Sequence, residues 1–166
     1  VLSIADFSPD GRSILTGSPD GSAKVWDAST GRVRTSLLGS TATLLSASFS
    51  PFGPLAMTAS ADGTVRVWDI HSGEQRVSID GQAQLMSAAY NHQGSHLVTA
   101  SRTGTARVWV AATGVMHAEL VGHGGPIHAA SFSPDGAAVV TASEDGSVCL
   151  WDANTGELRA TYRAGE

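Results

Sequence analysis

The four tryptophans of this 166-residue chain, Trp26, Trp68, Trp109 and Trp151, stand 42, 41 and 42 residues apart. Spacing this even across a whole chain requires a repeated supersecondary unit. A unit of about 40 residues cannot bury its own apolar surface, so its copies have to stack. The segments around the tryptophans match: Thr16 to Asp27, Thr58 to Asp69, Thr99 to Val110 and Thr141 to Asp152. Each has the pattern of a strand, a tight turn and a second strand ending in Trp.

Each repeat has four parts. The first is an apolar run that ends in an aromatic residue and a turn, at Phe7 to Gly11, Phe49 to Gly53, Tyr90 to Gly94 and Phe132 to Gly136. Pro followed by Asp-Gly, as in Pro9-Asp10-Gly11, pre-sets one φ and permits a positive one. The second part is a short strand: Ser13 to Gly17, Leu55 to Ala59, His96 to Ala100 and Ala138 to Ala142. The third is the Trp-bearing strand. The fourth follows a turn ending in Gly31, Gly73, Gly114 or Gly156, and runs from Arg32 to Leu38, Glu74 to Ile79, Val115 to Val121 and Glu157 to Arg163. Apolar residues recur with a period near 2 and no stretch holds a helical stripe. The expected unit is a four-stranded antiparallel meander, apolar on both faces. Radial stacking of such sheets covers both faces, which is the propeller arrangement.

The bulk properties narrow the function classes. A net charge of −5 argues against broad binding to nucleic acid or anionic membranes. No apolar run approaches 18 residues and no signal-peptide pattern opens the chain, so no membrane span is expected. Val1 stands where a start methionine would, which fits a piece of a longer protein. The one cysteine, Cys149, cannot form an internal disulfide, which favours an intracellular and specifically cytoplasmic setting.

With Trp26-Asp27, Trp68-Asp69, Trp151-Asp152, the Asp-Gly turns and Gly122-His123 in register, the chain resembles the WD-repeat β-propeller family over its whole length. The resemblance implies an all-β propeller segment of four four-stranded antiparallel blades, at about 1–39, 40–81, 82–122 and 123–166. Four blades make a half or partial ring with two bare faces, each ~300 Å² in plan from strand spacing and rise. Either a homodimer closing an eight-bladed ring, or a longer chain or larger assembly, is expected to cover them.

The resemblance also implies a structural tetrad of His, Ser or Thr, Asp and Trp, because a buried indole N–H needs an acceptor and a buried carboxylate needs donors. The fourth repeat offers His123, Ser143, Asp145 and Trp151. The second keeps Ser60, Asp62 and Trp68, with Ser40 at the histidine position. The first keeps Ser18, Asp20 and Trp26. The third keeps Trp109 but has Gln82, Thr103 and Val110 at the other motif positions.

Chemistry is expected to be absent. Ser143, His123 and Asp145 are the residue types of a hydrolase triad, but they recur by repeat with Trp and no Gly-x-Ser-x-Gly elbow surrounds the serine. His117, His123 and His128 lack a Cys or Glu partner at ligand spacing. Gly122 to Gly125 is not followed by Gly-Lys-Ser. No catalytic residue, metal or cofactor is assigned. Cys149 occupies the position of Lys24, Arg66 and Arg107, so it is expected at solvent.

The family likeness implies a non-catalytic scaffold or adaptor for proteins or peptides, or else a regulatory module of a larger enzyme. Partner contacts are expected on the face formed by the start of each inner strand and the turn before the Trp strand. The positions are Thr43, Leu45 and Ala61; Gln84, Met86 and Arg102; Pro126, His128 and Glu144; and Val1, Ser3 and Pro19. Met86 beside Arg102 has the most interface-like composition.

Overall fold

The computed structural model describes residues 3–40, 42–80 and 83–163, so Val1 and Gln82 lie outside the described residues. Among the described residues sixteen strands form four antiparallel sheets, each in simple meander order. The first sheet comprises β1 (Ile4–Phe7), β2 (Ser13–Gly17), β3 (Ala23–Asp27) and β4 (Val33–Leu37). The second comprises β5 (Leu44–Phe49), β6 (Leu55–Ser60), β7 (Val65–Asp69) and β8 (Gln75–Ile79). The third comprises β9 (Leu85–Tyr90), β10 (His96–Ser101), β11 (Thr105–Val110) and β12 (Met116–Val121). The fourth comprises β13 (Ile127–Phe132), β14 (Ala138–Ser143), β15 (Ser147–Asp152) and β16 (Leu158–Arg163). No helix occurs among the described residues.

Turn chemistry sets the hairpins. Between the second and third strand of each sheet, Gly21, Gly63, Gly104 and Gly146 take φ of 86°, 87°, 81° and 82°. That left-handed conformation carries no steric cost only for glycine. The preceding carboxylates of Asp20, Asp62 and Asp145 accept the N–H groups of Ser22, Thr64 and Ser147, which closes the turn from the side. In all four sheets the pairing of the Trp strand with the outer strand slips by one residue at the tryptophan. A bulge at that point bends the strand and re-aims the indole.

The chain divides into two compact units, residues 1–81 and 82–166. In the first unit, Leu15, Ala23, Val25 and Leu37 of the first sheet pack on Leu44, Ala47, Phe49, Ala56 and Trp68 of the second. In the second unit, Val98, Ala106, Val108 and Leu120 of the third sheet pack on Ile127, Val139, Cys149 and Trp151 of the fourth. Every sheet therefore has a Trp face and a back face. In both units the back face of the earlier sheet meets the Trp face of the later one. The inner strands β6 and β10 are buried along nearly their whole length, whereas the outer strands β4, β8, β12 and β16 alternate apolar with polar residues and are largely exposed.

Candidate functional site

Each tryptophan donates its indole N–H to a threonine on the neighbouring strand. Trp26 bonds Thr16 at 2.7 Å, Trp68 bonds Thr58 at 2.9 Å, Trp109 bonds Thr99 at 2.8 Å and Trp151 bonds Thr141 at 2.7 Å, all through Oγ1. The serines expected in that role do something else. Ser143 donates to the Gly125 carbonyl and accepts the Asp145 N–H. Ser60 bonds Ser40 and the Ala42 carbonyl, and Ser18 accepts the Asp20 N–H at 3.5 Å. These three serines tie the inner-strand end to the turn, and the threonine two residues earlier holds the indole. The sequence expectation for Ser18, Ser60 and Ser143 is corrected accordingly.

The fourth sheet extends this contact into a chain. His123 Nε2 lies 2.7 Å from Thr141 Oγ1 and its Nδ1 lies 2.9 Å from Asp145 Oδ2. The carboxylate only accepts, so Nδ1 carries a proton. Thr141 accepts from the indole, which leaves its own hydrogen for Nε2. The His123 side chain is fully buried. The hydroxyl of Ser147 is the largest influence holding the Asp145 carboxyl well below the usual carboxylate range. The His123 ring and the Gly124 and Ser147 N–H groups add to it, against the opposing effect of burial. Gly122 lies against the indole edge, and a Cβ there would come within 3.1 Å of Trp151 Cη2. Gly39 meets Trp68 in the same way at 2.9 Å. The glycine of the Gly-His pair is thus a close-approach requirement. The Ser143 hydroxyl bonds the Gly125 carbonyl and the Asp145 N–H, while the His123 ring bonds Asp145, Thr141 and Ser147.

The other sheets hold fewer members. In the second, Ser40 bonds Ser60 and does not reach Thr58 through any recorded contact. In the third, Thr103 stands at the Asp62 and Asp145 position; its hydroxyl bonds Ser101 and Thr105, and its N–H donates to Ser101 Oγ.

A second recurrent device escaped sequence reading. The aspartate after Trp accepts two backbone N–H groups of the next turn and an arginine seven residues on. Asp27 holds Ser29, Thr30 and Arg34. Asp69 holds His71, Ser72 and Arg76. Asp152 holds Asn154, Thr155 and Arg159. Asp69 is lowered to about 2, chiefly by Arg76, and Asp152 is lowered chiefly by Arg159. The Ser29 hydroxyl leads for Asp27, followed by Arg34. In the third sheet Val110 and His117 occupy the Asp and Arg positions, and His117 instead lies 4.9 Å from the ring of His96. The pattern Asp-x6-Arg in the first, second and fourth repeats, with both members missing from the third, was the available signal.

Cys149 is buried, at 3% exposure, contrary to the expectation of a solvent position. It lies on the Trp face, 3.9 Å from His123 Nδ1 and 3.6 Å from Thr161 Oγ1. At this position Lys24 sets its Nζ 5.9 Å from the Trp26 ring centroid, while Arg66 and Arg107 reach Asp62 and Glu119. A thiol cannot reach that far. A thiol reagent should therefore label native Cys149 at least about tenfold more slowly than the urea-unfolded chain, since labelling follows thiol access. Equal rates in a stopped-flow comparison would contradict the burial.

The candidate partner residues lie at one end of each sheet and are joined there in pairs by the backbone. Ala61 N–H donates to the Thr43 carbonyl at 2.8 Å, Arg102 to Gln84 at 2.9 Å and Glu144 to Pro126 at 2.9 Å. Thr43, Gln84, Arg102, His128, Glu144, Ser3 and Pro19 are exposed, while Leu45, Met86 and Pro126 are half-buried. His128 Nε2 and Glu144 Oε2 are 3.8 Å apart, with both side chains more than half exposed. Gln84 has φ of 56°, the one left-handed non-glycine among the described residues.

The WD domain, G-beta repeat family matches residues 1–27, 31–69, 73–110 and 114–152. Each internal match takes in the outer strand of one sheet and the three inner strands of the next. No curated protein sequence matches the chain significantly. Among solved structures, the crystal structure of the computationally designed Ika8 protein is similar at 29% identity and a TM-score of 0.86. The similarity covers 97% of this chain and 48% of that one, so the chain spans about half the length of the designed protein. With four registered repeats, four meander sheets and the recurrent Trp–Thr bond, the chain belongs to the WD40 repeat family.

Proposed function

We propose that this chain is a non-catalytic scaffold or adaptor module that binds a protein or peptide at the turn end of its sheets. WD40 repeats generally mediate protein–protein interaction. The observation that carries the reading is the repeated backbone bond joining Thr43 to Ala61, Gln84 to Arg102 and Pro126 to Glu144. A fixed frame holds the pairs while their side chains differ from repeat to repeat. That combination suits recognition rather than packing. The third sheet is the favoured place: Arg102 is exposed beside half-buried Met86, and Gln84 holds a backbone conformation costing about 1–3 kcal/mol. The His128–Glu144 pair is a rim contact worth little by itself. Intracellular placement belongs to the same reading. Among the described residues no helix is long and apolar enough to cross a membrane.

The test is a paired substitution, Met86→Asp with Arg102→Glu, compared with the unaltered chain in affinity capture followed by mass spectrometry. A partner lost by about tenfold or more, with an unchanged melting curve, is the expected result. A hot-spot pair of this kind is worth roughly 2 kcal/mol or more. Capture of the same partners at the same yield would overturn the assignment of this surface.

A further inference from the structure

We propose that His96 and His117 of the third sheet form a two-imidazole site for a divalent late transition metal ion of the Zn²⁺ type. The bulge at each tryptophan is what makes the pair. Where the outer strand slips in register, one residue is left over in every sheet: Arg34, Arg76, His117 and Arg159. A bulge re-aims the residue it frees. In the first sheet that residue, Arg34, reaches Asp27 and also the Ser13 hydroxyl at the start of the second strand. His96 holds the Ser13 position in the third sheet, since it lies opposite Val110 as Ser13 lies opposite Asp27. The device that elsewhere brings an arginine to an aspartate therefore brings His117 to His96. Their ring centroids are 4.9 Å apart and the rings are inclined at 56°. A tetrahedral ion about 2.0–2.1 Å from one nitrogen of each ring sets the two centroids ~5 Å apart.

The neighbours hold each ring by one nitrogen and leave the other. His117 Nε2 lies 3.4 Å from Asn154 Oδ1, in the turn after Trp151 of the fourth sheet. An amide oxygen only accepts, so Nε2 carries the proton there and Nδ1 is bare. His96 Nδ1 lies 3.0 Å from Ser95 Oγ, which accepts from Asn91 and has a second lone pair for an Nδ1–H. In that tautomer His96 presents a bare Nε2. A metal-bound histidine ordinarily donates its other ring N–H to an acceptor in this way. A cavity of about 40 Å³ beside the rings, lined by His96, His117, Phe132 and Asn154, has room for a water-sized guest. Burial, and after it His117, hold His96 below the usual imidazole range. The neutral ring is the form that ligates. Two imidazoles without a carboxylate select Zn²⁺, Cu²⁺ or Ni²⁺ over Mg²⁺ and Ca²⁺. Among the described residues no three His, Cys, Asp or Glu side chains are grouped to hold a metal, so water completes the shell. Grouping His117 with His123 and His128 by sequence missed its true neighbour. The pair stands at the start of β10 and the turn-end surface follows the other end of that strand, so neither reading depends on the other.

Zn²⁺ titrated calorimetrically into the tag-free chain at neutral pH tests the site. One ion per chain in the micromolar range is the expected result, with a melting midpoint that rises as Zn²⁺ is added. His96→Gln and His117→Arg should each weaken binding at least about tenfold, since even the outer partners of a metal ligand are worth that much. His117→Arg restores the residue of the other three repeats at an exposed position, so its metal-free melting curve should match that of the unaltered chain. His92→Gln and His128→Gln, at exposed histidines outside the pair, should leave the affinity unchanged. An unaltered chain that takes up no Zn²⁺, binding that survives both substitutions in the pair, or equal loss in the His92 or His128 variant would overturn the proposal.

Discussion

Trp151→Ala is expected to destabilise the fold by on the order of 3–5 kcal/mol, the largest effect of any single substitution considered. The indole is 1% exposed at the centre of the second unit's core, between Gly122 and the cluster formed with Val98, Val108 and Val139. Its removal leaves a cavity that the flanking strands cannot close, because both are paired along their length. It also leaves the Thr141 hydroxyl without the donor it accepts from. Trp109→Ala should cost about 1 kcal/mol less, because no buried histidine chain depends on Thr99 among the described residues. Urea melts of the two variants decide the ranking, and a smaller loss for Trp151 than for Trp109 would refute it.

Thr141→Val is expected to cost about 2–4 kcal/mol, although it changes no volume to speak of. The hydroxyl is shared: it accepts from Trp151 and reaches His123 at 2.7 Å from each. Valine strands a buried indole N–H and a buried imidazole nitrogen together, each at roughly 1–3 kcal/mol. Ser143→Ala removes bonds to the Gly125 carbonyl and the Asp145 N–H in a half-buried place, and should cost about 1 kcal/mol. Thr99→Val strands an indole N–H and removes the longer bond to the Arg107 carbonyl, and should fall between the two. Denaturant melts of the three variants test the order Thr141, Thr99, Ser143. A larger loss at Ser143 would mean that the serine, and not the threonine, anchors the network.

Much of the architecture was legible in sequence because each level of signal agreed with the next. The period near 2, the Asp-Gly turns and the Trp spacing all define the same sixteen strands. The choice of hydroxyl was not legible, for a definite reason. Thr16 and Ser18, Thr58 and Ser60, Thr99 and Ser101, and Thr141 and Ser143 are each two apart. Residues two apart on a strand point to the same face, so alternation cannot separate them. Pairing register decides: Thr141 lies opposite Cys149, one step from Trp151, while Ser143 falls at the bulged end beside Ile127. Cys149 was misplaced because its position was judged from Lys24, Arg66 and Arg107. Those side chains carry a charge that has to find water or a carboxylate, as Arg66 finds Asp62 and Arg107 finds Glu119, and a thiol has no such need.

The staggered relation between matched repeats and sheets has a consequence for how such a chain can grow or shrink. A copied stretch of 31–69 carries β4 together with β5 to β7, so it arrives with the outer strand of its neighbour and without its own. A duplicated segment can fold only by lending one strand backward and borrowing another forward. Gain or loss of a copy therefore alters two adjacent sheets at once, and a break in the middle of the chain leaves unfinished edges on both sides. The matched repeat is thus offset by one strand from the sheet that folds, and each of the first three sheets is completed by a strand from the next repeat.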